Sequence, residues 1–362
     1  MEARVLAYYL PQFHPIPEND EWWGKGFTEW TNVARARKLF PGHEQPHIPA
    51  DLGFYDLRLP KVREEQAALA RQAGIEGFCY YEYWFGNGRR LLHGPFDEVV
   101  ASGKPDFPFC LCWANHSWYK KRWDPKAKGR DELLIEQRYP GEEDYRQHFQ
   151  TLLPAFSDKR YIRVNGKLLY VIYDALHFND VSTFIKHWRA LAQESGLGDF
   201  FFVATDFNSE HYTQLKALGF DATHNVDHLN IYHRSSLINK LWLAFTRKCL
   251  GLPMIYRYKD AIKYMLNDNC RLLDVFPVVA PNWDHTPRSG AKGMVMTGAK
   301  PKYFKRLVSQ ALDMVKSKPL EERIIFVKSW NEWGEGNYME PDLKYGHGYI
   351  EALHDALEEF KP

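Results

Sequence analysis

Short apolar runs alternate with amphipathic stretches along the whole chain. The runs are Val5–Leu10, Ile75–Tyr81, Phe107–Trp113, Leu168–Tyr173, Phe200–Thr205, Phe220–Thr223, Val275–Ala280 and Ile324–Trp330. They suit strands buried on both faces, as in a parallel sheet. Helical spacing recurs between them. Val62, Gln66, Leu69 and Ala73 follow Pro60, which suits a first helical turn. Tyr145, Phe149, Leu152, Leu153 and Phe156 share one face, and Phe184, Trp188 and Leu191 follow a candidate N-cap at Asp180. Phe304, Leu307, Val308, Ala311, Leu312 and Val315 keep a clean 3.6 period after Pro301, and Ile350, Leu353, Leu357 and Phe360 close the chain. Strand–helix units repeated eight times predict a (β/α)8 TIM barrel, an α/β fold in one domain over 1–362. A doubly wound sheet is the alternative. Against it, the first strand is followed by neither Gly-x-Gly-x-x-Gly nor a Walker-type Gly-Lys-Ser/Thr.

The pattern breaks in two places. Residues 16–60 form a Pro- and Gly-rich loop holding Trp22, Trp23, Trp30, Glu29, His43 and His47. Loops that long inside a compact domain are often functional. Residues 226–253 form a second insertion with an apolar patch, Leu241-Trp242-Leu243-Ala244-Phe245. The patch suits a lid, an interface or a membrane-surface contact, and a short buried helix is the preferred expectation.

Nearly every predicted strand ends in polar and aromatic residues: Tyr9 and Gln12, Tyr81 and Trp84, Asn115 and His116, Asp174, Asp206, His224, Trp283 and Asp284, Asn331 and Glu332. In a barrel these ends meet at one face, where the site is built. The last strand is the most telling. After Ile324–Val327 the chain turns polar and carries Glu332, Glu335 and Glu340, with Trp333, Gly334 and Gly336 among them. The glycines predict a sharply turning loop. Paired carboxylates beside aromatic rings are what glycoside cleavage requires, one as acid and one as base or nucleophile. The competing reading is a solvated acidic loop with Trp333 packed beneath it.

Composition narrows the choice. The 362 residues include 12 Trp, 21 Tyr and 23 Phe, and the net charge is +1. Near-neutral charge argues against a nucleic-acid partner. An odd set of five cysteines without Cys-x-x-Cys predicts free, mostly buried thiols. The absence of a signal-peptide pattern favours a cytoplasmic location, and no apolar run reaches transmembrane length. Oligomeric state is left open. His14, His116, His224 and His285 lie on separate loops, and neither a metal nor another cofactor is expected. No Gly-x-Ser-x-Gly elbow occurs.

Trp330-Asn331-Glu332-Trp333-Gly334-Glu335-Gly336, followed by Glu340-Pro341, resembles the motif of glycoside hydrolase family 99, the endo-α-mannosidases and endo-α-mannanases. Ala7–Pro15, Gly26–Val33, Cys112–Asn115 and Trp283–Arg288 resemble more closely the family-99-like WbsX domain of bacterial O-antigen and capsule gene clusters. That resemblance covers nearly the whole chain. It implies a (β/α)8 barrel in which Glu332 and Glu335 match the mannosidase catalytic carboxylates. Glu332 would act as base on the sugar's 2-hydroxyl, giving a 1,2-anhydro intermediate, and Glu335 as acid and then base. Substrate contacts are expected from Tyr9, Gln12, His14, Trp30, Tyr81, Trp84, Trp113, Asn115, His116, Trp123, Trp283, Asp284, Asn331, Trp333 and Glu340. Many relatives carry Glu where this chain has His116, which leaves the sugar open. The expected activity is retaining, endo-acting hydrolysis of an α-linked oligo- or polysaccharide. A glycosyltransferase or other assembly protein of surface polysaccharide is the alternative. Neither Asp-x-Asp nor a glycine-rich phosphate loop is present to hold a nucleotide-sugar diphosphate.

Overall fold

The computed structural model describes residues 2–120, 131–207 and 209–361. Eight parallel strands close into a barrel. They are β1 (Arg4–Tyr9), β2 (Gly77–Trp84), β3 (Phe109–Trp113), β4 (Lys167–Ile172), β5 (Phe200–Asp206), β6 (Ala222–Asn225), β7 (Val275–Val279) and β8 (Ile324–Val327). Each pairs with its chain neighbour, and β1 pairs with β8 through Arg4↔Ile324 to Ala7↔Val327, which closes the ring. Helices α1 (Pro60–Gln72), α2 (Gly94–Ser102), α3 (Glu142–Phe156), α4 (Val181–Glu194), α5 (Tyr212–Ala217), α6 (Leu237–Leu250), α7 (Pro301–Val315) and α8 (Gly348–Glu358) lie between or after the strands. Both strand faces are covered, which is why β2, β3, β5, β6, β7 and β8 are buried at every position. All six apolar positions expected on α7 are buried.

The two insertions depart from expectation. Residues 16–60 are not irregular throughout: short helices span Pro17–Trp23 and Glu29–Arg35. Pro17 pre-sets the first turn of one. In the other, Thr31 Oγ1 accepts a 3.4 Å bond from the Thr28 backbone, so local capping outweighs the Pro/Gly composition. Residues 226–253 hold α6, which is helical as expected but not buried. Leu237, Ile238, Leu241, Trp242 and Phe245 are exposed, and only Leu243 and Thr246 are buried. Asp180 precedes α4 but makes no side-chain cap; its carboxylate instead accepts from Tyr145 Oη at 3.2 Å. Among the described residues no helix is long and apolar enough to cross a membrane. Cys79, Cys110, Cys112 and Cys270 are buried free thiols, and Cys249 is exposed and free.

Candidate active site

The β8 end is built as a tight hairpin. Asn331–Glu332 pairs antiparallel with Asn337–Tyr338 around a single 3₁₀ turn at Trp333–Glu335. Glu332 and Glu335 therefore stand at the two ends of one turn. Gly336 has φ +59°, and a Cβ there would come within 2.9 Å of Asp284 Cβ. Asn331 pins the hairpin to β1: its Oδ1 accepts from Leu10 N at 2.8 Å and its Nδ2 donates to Leu10 O at 3.1 Å.

Arg288, which follows β7, organises the acids. One of its terminal nitrogens donates to Glu335 Oε1 at 2.7 Å and to Glu332 Oε1 at 3.0 Å, and its Nε donates to Glu29 Oε1 at 2.9 Å. Glu29 opens the Glu29–Arg35 helix, and its backbone N–H is held by Gln12 O at 3.0 Å. Three carboxylates, two from the hairpin and one from the remote Glu29 helix, thus meet around one guanidinium. Lys328 adds a second charge: its Nζ lies 3.9 Å from Glu332 Oε2 and donates to Tyr81 Oη at 3.1 Å.

The pKa values of the two hairpin glutamates are shifted in opposite directions. Burial alone would raise both, because it penalises the charged form. At Glu332 that effect is outweighed by Lys328 and Arg288, and the carboxyl is held below its ordinary value. At Glu335 burial and the negative Glu332 prevail over Arg288, pushing it up to about 7. The separation comes from unequal distances to Lys328 and from mutual repulsion.

These groups border a cleft of about 550 Å³ at the C-terminal barrel face, within the range of small-ligand sites. Of the expected contacts, Gln12, Tyr81, His116 and Trp283 line it with Glu332 and Glu335. Others lie behind its wall. Tyr9 points away from the lumen and donates to Gln66 Oε1 at 2.6 Å, while its neighbour Tyr8 faces inward and bonds His224 Nε2 at 2.6 Å. Trp84 and Trp113 pack against His148 between barrel and helices. Trp30 sits against Phe13 and Tyr55. Asn115 braces the following loop through Asp174. Asp284 fastens the β7 loop by accepting from His43, Gln45 and Thr286. Trp333 stacks on Tyr338 at 3.7 Å and donates to Glu340 at 2.6 Å. Glu340 also accepts from Gln66 and Tyr55, and its burial pushes it up to about 7. His14 is buried outside the cleft lining, and burial lowers its pKa. Trp123 lies outside the described residues. Lining residues the strand-end pattern did not single out include Tyr83, Tyr173, His285, Arg288 and Lys328. Tyr83 lay within reach of the same pattern, two positions beyond Tyr81. Arg288 and Lys328 carried no such signal.

Gly334 shows how closely the acids are packed. A Cβ there would fall 1.7 Å from Glu29 Oε1 and 3.0 Å from Arg288 Nε. Gly334→Ala is therefore expected to displace Glu29 and slacken the Arg288 clamp. It should cost about 1–3 kcal/mol by overpacking and lower turnover at least about tenfold. Thermal melting and initial rates check both, and an unchanged rate would detach Glu29 from the site's geometry.

A closed ring of eight parallel strands with helices between them, and a buried acidic pair after the last strand, defines a TIM-barrel fold. Known structures share that fold. A protein described as "Glycoside hydrolase-like protein" aligns with a TM-score of 0.61 and 16% identity over 98% of this chain and 93% of its own. The GH99 endo-α-mannosidase of Bacteroides thetaiotaomicron, in complex with bis-tris-propane, aligns at 0.59 and 14% identity over 99% and 97%. More particularly, the chain belongs to the WbsX family, described as "Glycosyltransferase WbsX", whose model matches residues 5–353. A Xanthomonas campestris pv. campestris relative, "Uncharacterized protein WxcX", is 34% identical over 363 aligned positions, covering 99% of this chain and 50% of the relative. The chain thus spans about half the length of the curated relatives it matches.

Proposed function

We propose that the chain is a retaining, endo-acting glycoside hydrolase of α-linked bacterial surface polysaccharide, such as O-antigen, capsule or a mannan-like chain. Glu332 and Glu335 are its acid–base pair, and the substrate's own 2-hydroxyl is the nucleophile. One observation carries the reading: two buried glutamates on a single guanidinium have their pKa values pushed apart. Groups arranged this way divide acid and base roles near neutral pH. Among the described residues Glu332 Oε2 has no hydrogen-bond partner, and its nearest cation, Lys328 Nζ, lies 3.9 Å away.

In the first step Glu332 removes the 2-hydroxyl proton, O2 attacks C1, and the C1–aglycone bond breaks. Glu335 gives its proton to the departing oxygen. The product is a 1,2-anhydro sugar. In the second step Glu335, now a carboxylate, takes a proton from water as that water attacks C1. The C1–O2 bond opens and Glu332 returns its proton to O2. Two inversions give net retention. Trp283 and Tyr81 offer apolar ring faces to the sugar, and Gln12 and His116 offer hydrogen-bonding groups.

A substrate with fluorine in place of the 2-hydroxyl and a good leaving group tests the mechanism. It is expected to bind, not turn over, and leave no adduct. A glycosyl ester on Glu332 in the mass spectrum would restore ordinary double displacement. The family's description supports a second reading, transfer from a nucleotide sugar. Glu335-dependent release of a nucleoside diphosphate would favour it over hydrolysis.

A further inference from the structure

The apolar face of α6 is formed by Leu237, Ile238, Leu241, Trp242 and Phe245, spaced i, i+1, i+4, i+5 and i+8. That spacing is one continuous stripe of a helix. The protein leaves it in water: Ile238 is 79% exposed and Trp242 62%. The opposite side, through Leu243 and Thr246, is what attaches the helix to the fold. Charge around the stripe is net basic. From residue 227 to 268 the chain has seven basic side chains, Arg234, Lys240, Arg247, Lys248, Arg257, Lys259 and Lys263, against three acids, Asp227, Asp260 and Asp268, and Arg234 is paired with Asp227. The whole chain carries only +1, so the remainder is net acidic and the basic charge is concentrated here. Helix α6 itself has no acidic residue.

A protein partner or a second copy would satisfy an apolar stripe. Its combination with a surrounding excess of cations, on an otherwise acidic molecule, fits a surface that is apolar within and anionic at its headgroups. We infer that α6 is an interfacial helix that docks this protein on an anionic lipid bilayer, with Leu237, Ile238, Leu241, Trp242 and Phe245 in the acyl boundary and the flanking cations at headgroup phosphates.

The placement relates the surface to the cleft. The strand Met254–Arg257 follows α6 and pairs in parallel with Met294–Thr297 through Met254↔Met294. Met254 and Met294 both line the catalytic cleft, as does Leu229 from the segment before α6. The docking helix is therefore rooted in the rim of the cleft, so docking brings the cleft mouth close to the bilayer. The inference stands on exposure and charge alone and does not depend on the catalytic reading.

The test is co-sedimentation of the full chain with phosphatidylethanolamine–phosphatidylglycerol vesicles, beside phosphatidylcholine vesicles. Binding is expected to the anionic vesicles only and to weaken with salt. Tryptophan emission should shift blue on binding, and Trp242→Phe should remove that shift. Leu241→Glu with Phe245→Glu is expected to lower partitioning at least about tenfold, and Arg247→Glu with Lys248→Glu by roughly fivefold or more per cation. These positions are exposed, so the parental melting temperature should persist, and it is measured alongside. Equal binding to both vesicle types would overturn the inference. So would insensitivity to the Leu241 and Phe245 changes, or lipid-free self-association through α6 without vesicle binding.

Discussion

Glu332→Gln and Glu335→Gln are each expected to lower turnover by about 10²-fold or more, with the fold retained. Each change keeps side-chain volume and removes one proton-transfer group, and positioned acid–base groups contribute about that much. The parent's rate should be bell-shaped in pH. Its alkaline limb reflects loss of the Glu335 proton near pH 7. Its acid limb lies below the ordinary carboxylate value, where Glu332 is finally protonated. Both limbs belong to the coupled pair. Stability separates this reading from a merely structural one. The folded pKa of Glu335, about 7, lies above its ordinary 4.5, so the folded state holds this proton more tightly than the unfolded state. That contribution is fully present below about pH 4.5 and is lost as pH rises through about 7. Glutamine cannot ionise. Glu335→Gln should therefore melt no lower than the parent at about pH 8, and its relative advantage should grow from about pH 5. Collapse of both variants at every pH would make the pair a structural device.

Arg288→Met should have the second largest effect. It leaves Glu29, Glu332 and Glu335 facing one another without their shared counter-charge. Removing one partner from a buried ion pair costs about 3–5 kcal/mol. The low end is expected here, because the Arg288 side chain is 21% exposed. Turnover should fall at least about 10²-fold, since both the pair's spacing and its charge balance depend on this group. Arg288 lowers the pKa of both glutamates, so its removal should move both limbs of the pH profile upward. Arg288→Lys restores the charge. A single ammonium cannot reproduce a planar fork that meets Glu29 through Nε and the pair through a terminal nitrogen. It should recover stability more than rate. Calorimetry and pH–rate profiles on the three proteins check this, and an unshifted profile in Arg288→Met would refute the clamp.

The barrel could be read from the chain because its two periodicities are local. Ile324–Val327 has no polar position, which only a strand covered on both faces tolerates, and Pro301–Val315 repeats every 3.6 residues. The β8 acids were equally legible, since Glu332 and Glu335 occupy one short turn and spacing alone brings them together. Side-chain direction was not. In a strand buried on both faces, neither Tyr8 nor Tyr9 carries a polar neighbour to mark the lumen, so only the closed barrel turned Tyr8 inward and Tyr9 toward Gln66. Trp333 stands between the two acids in sequence, yet the hairpin turns its ring back onto Tyr338. The exposure of α6 was likewise undecided, because an apolar stripe has the same period whether it is covered or bare. The chain by itself determined the eight strands, their order and the turn that holds Glu332 and Glu335. The tertiary structure decided their electrostatics, because Glu29 and Arg288 come from segments distant from the hairpin and electrostatic coupling depends on distance in space.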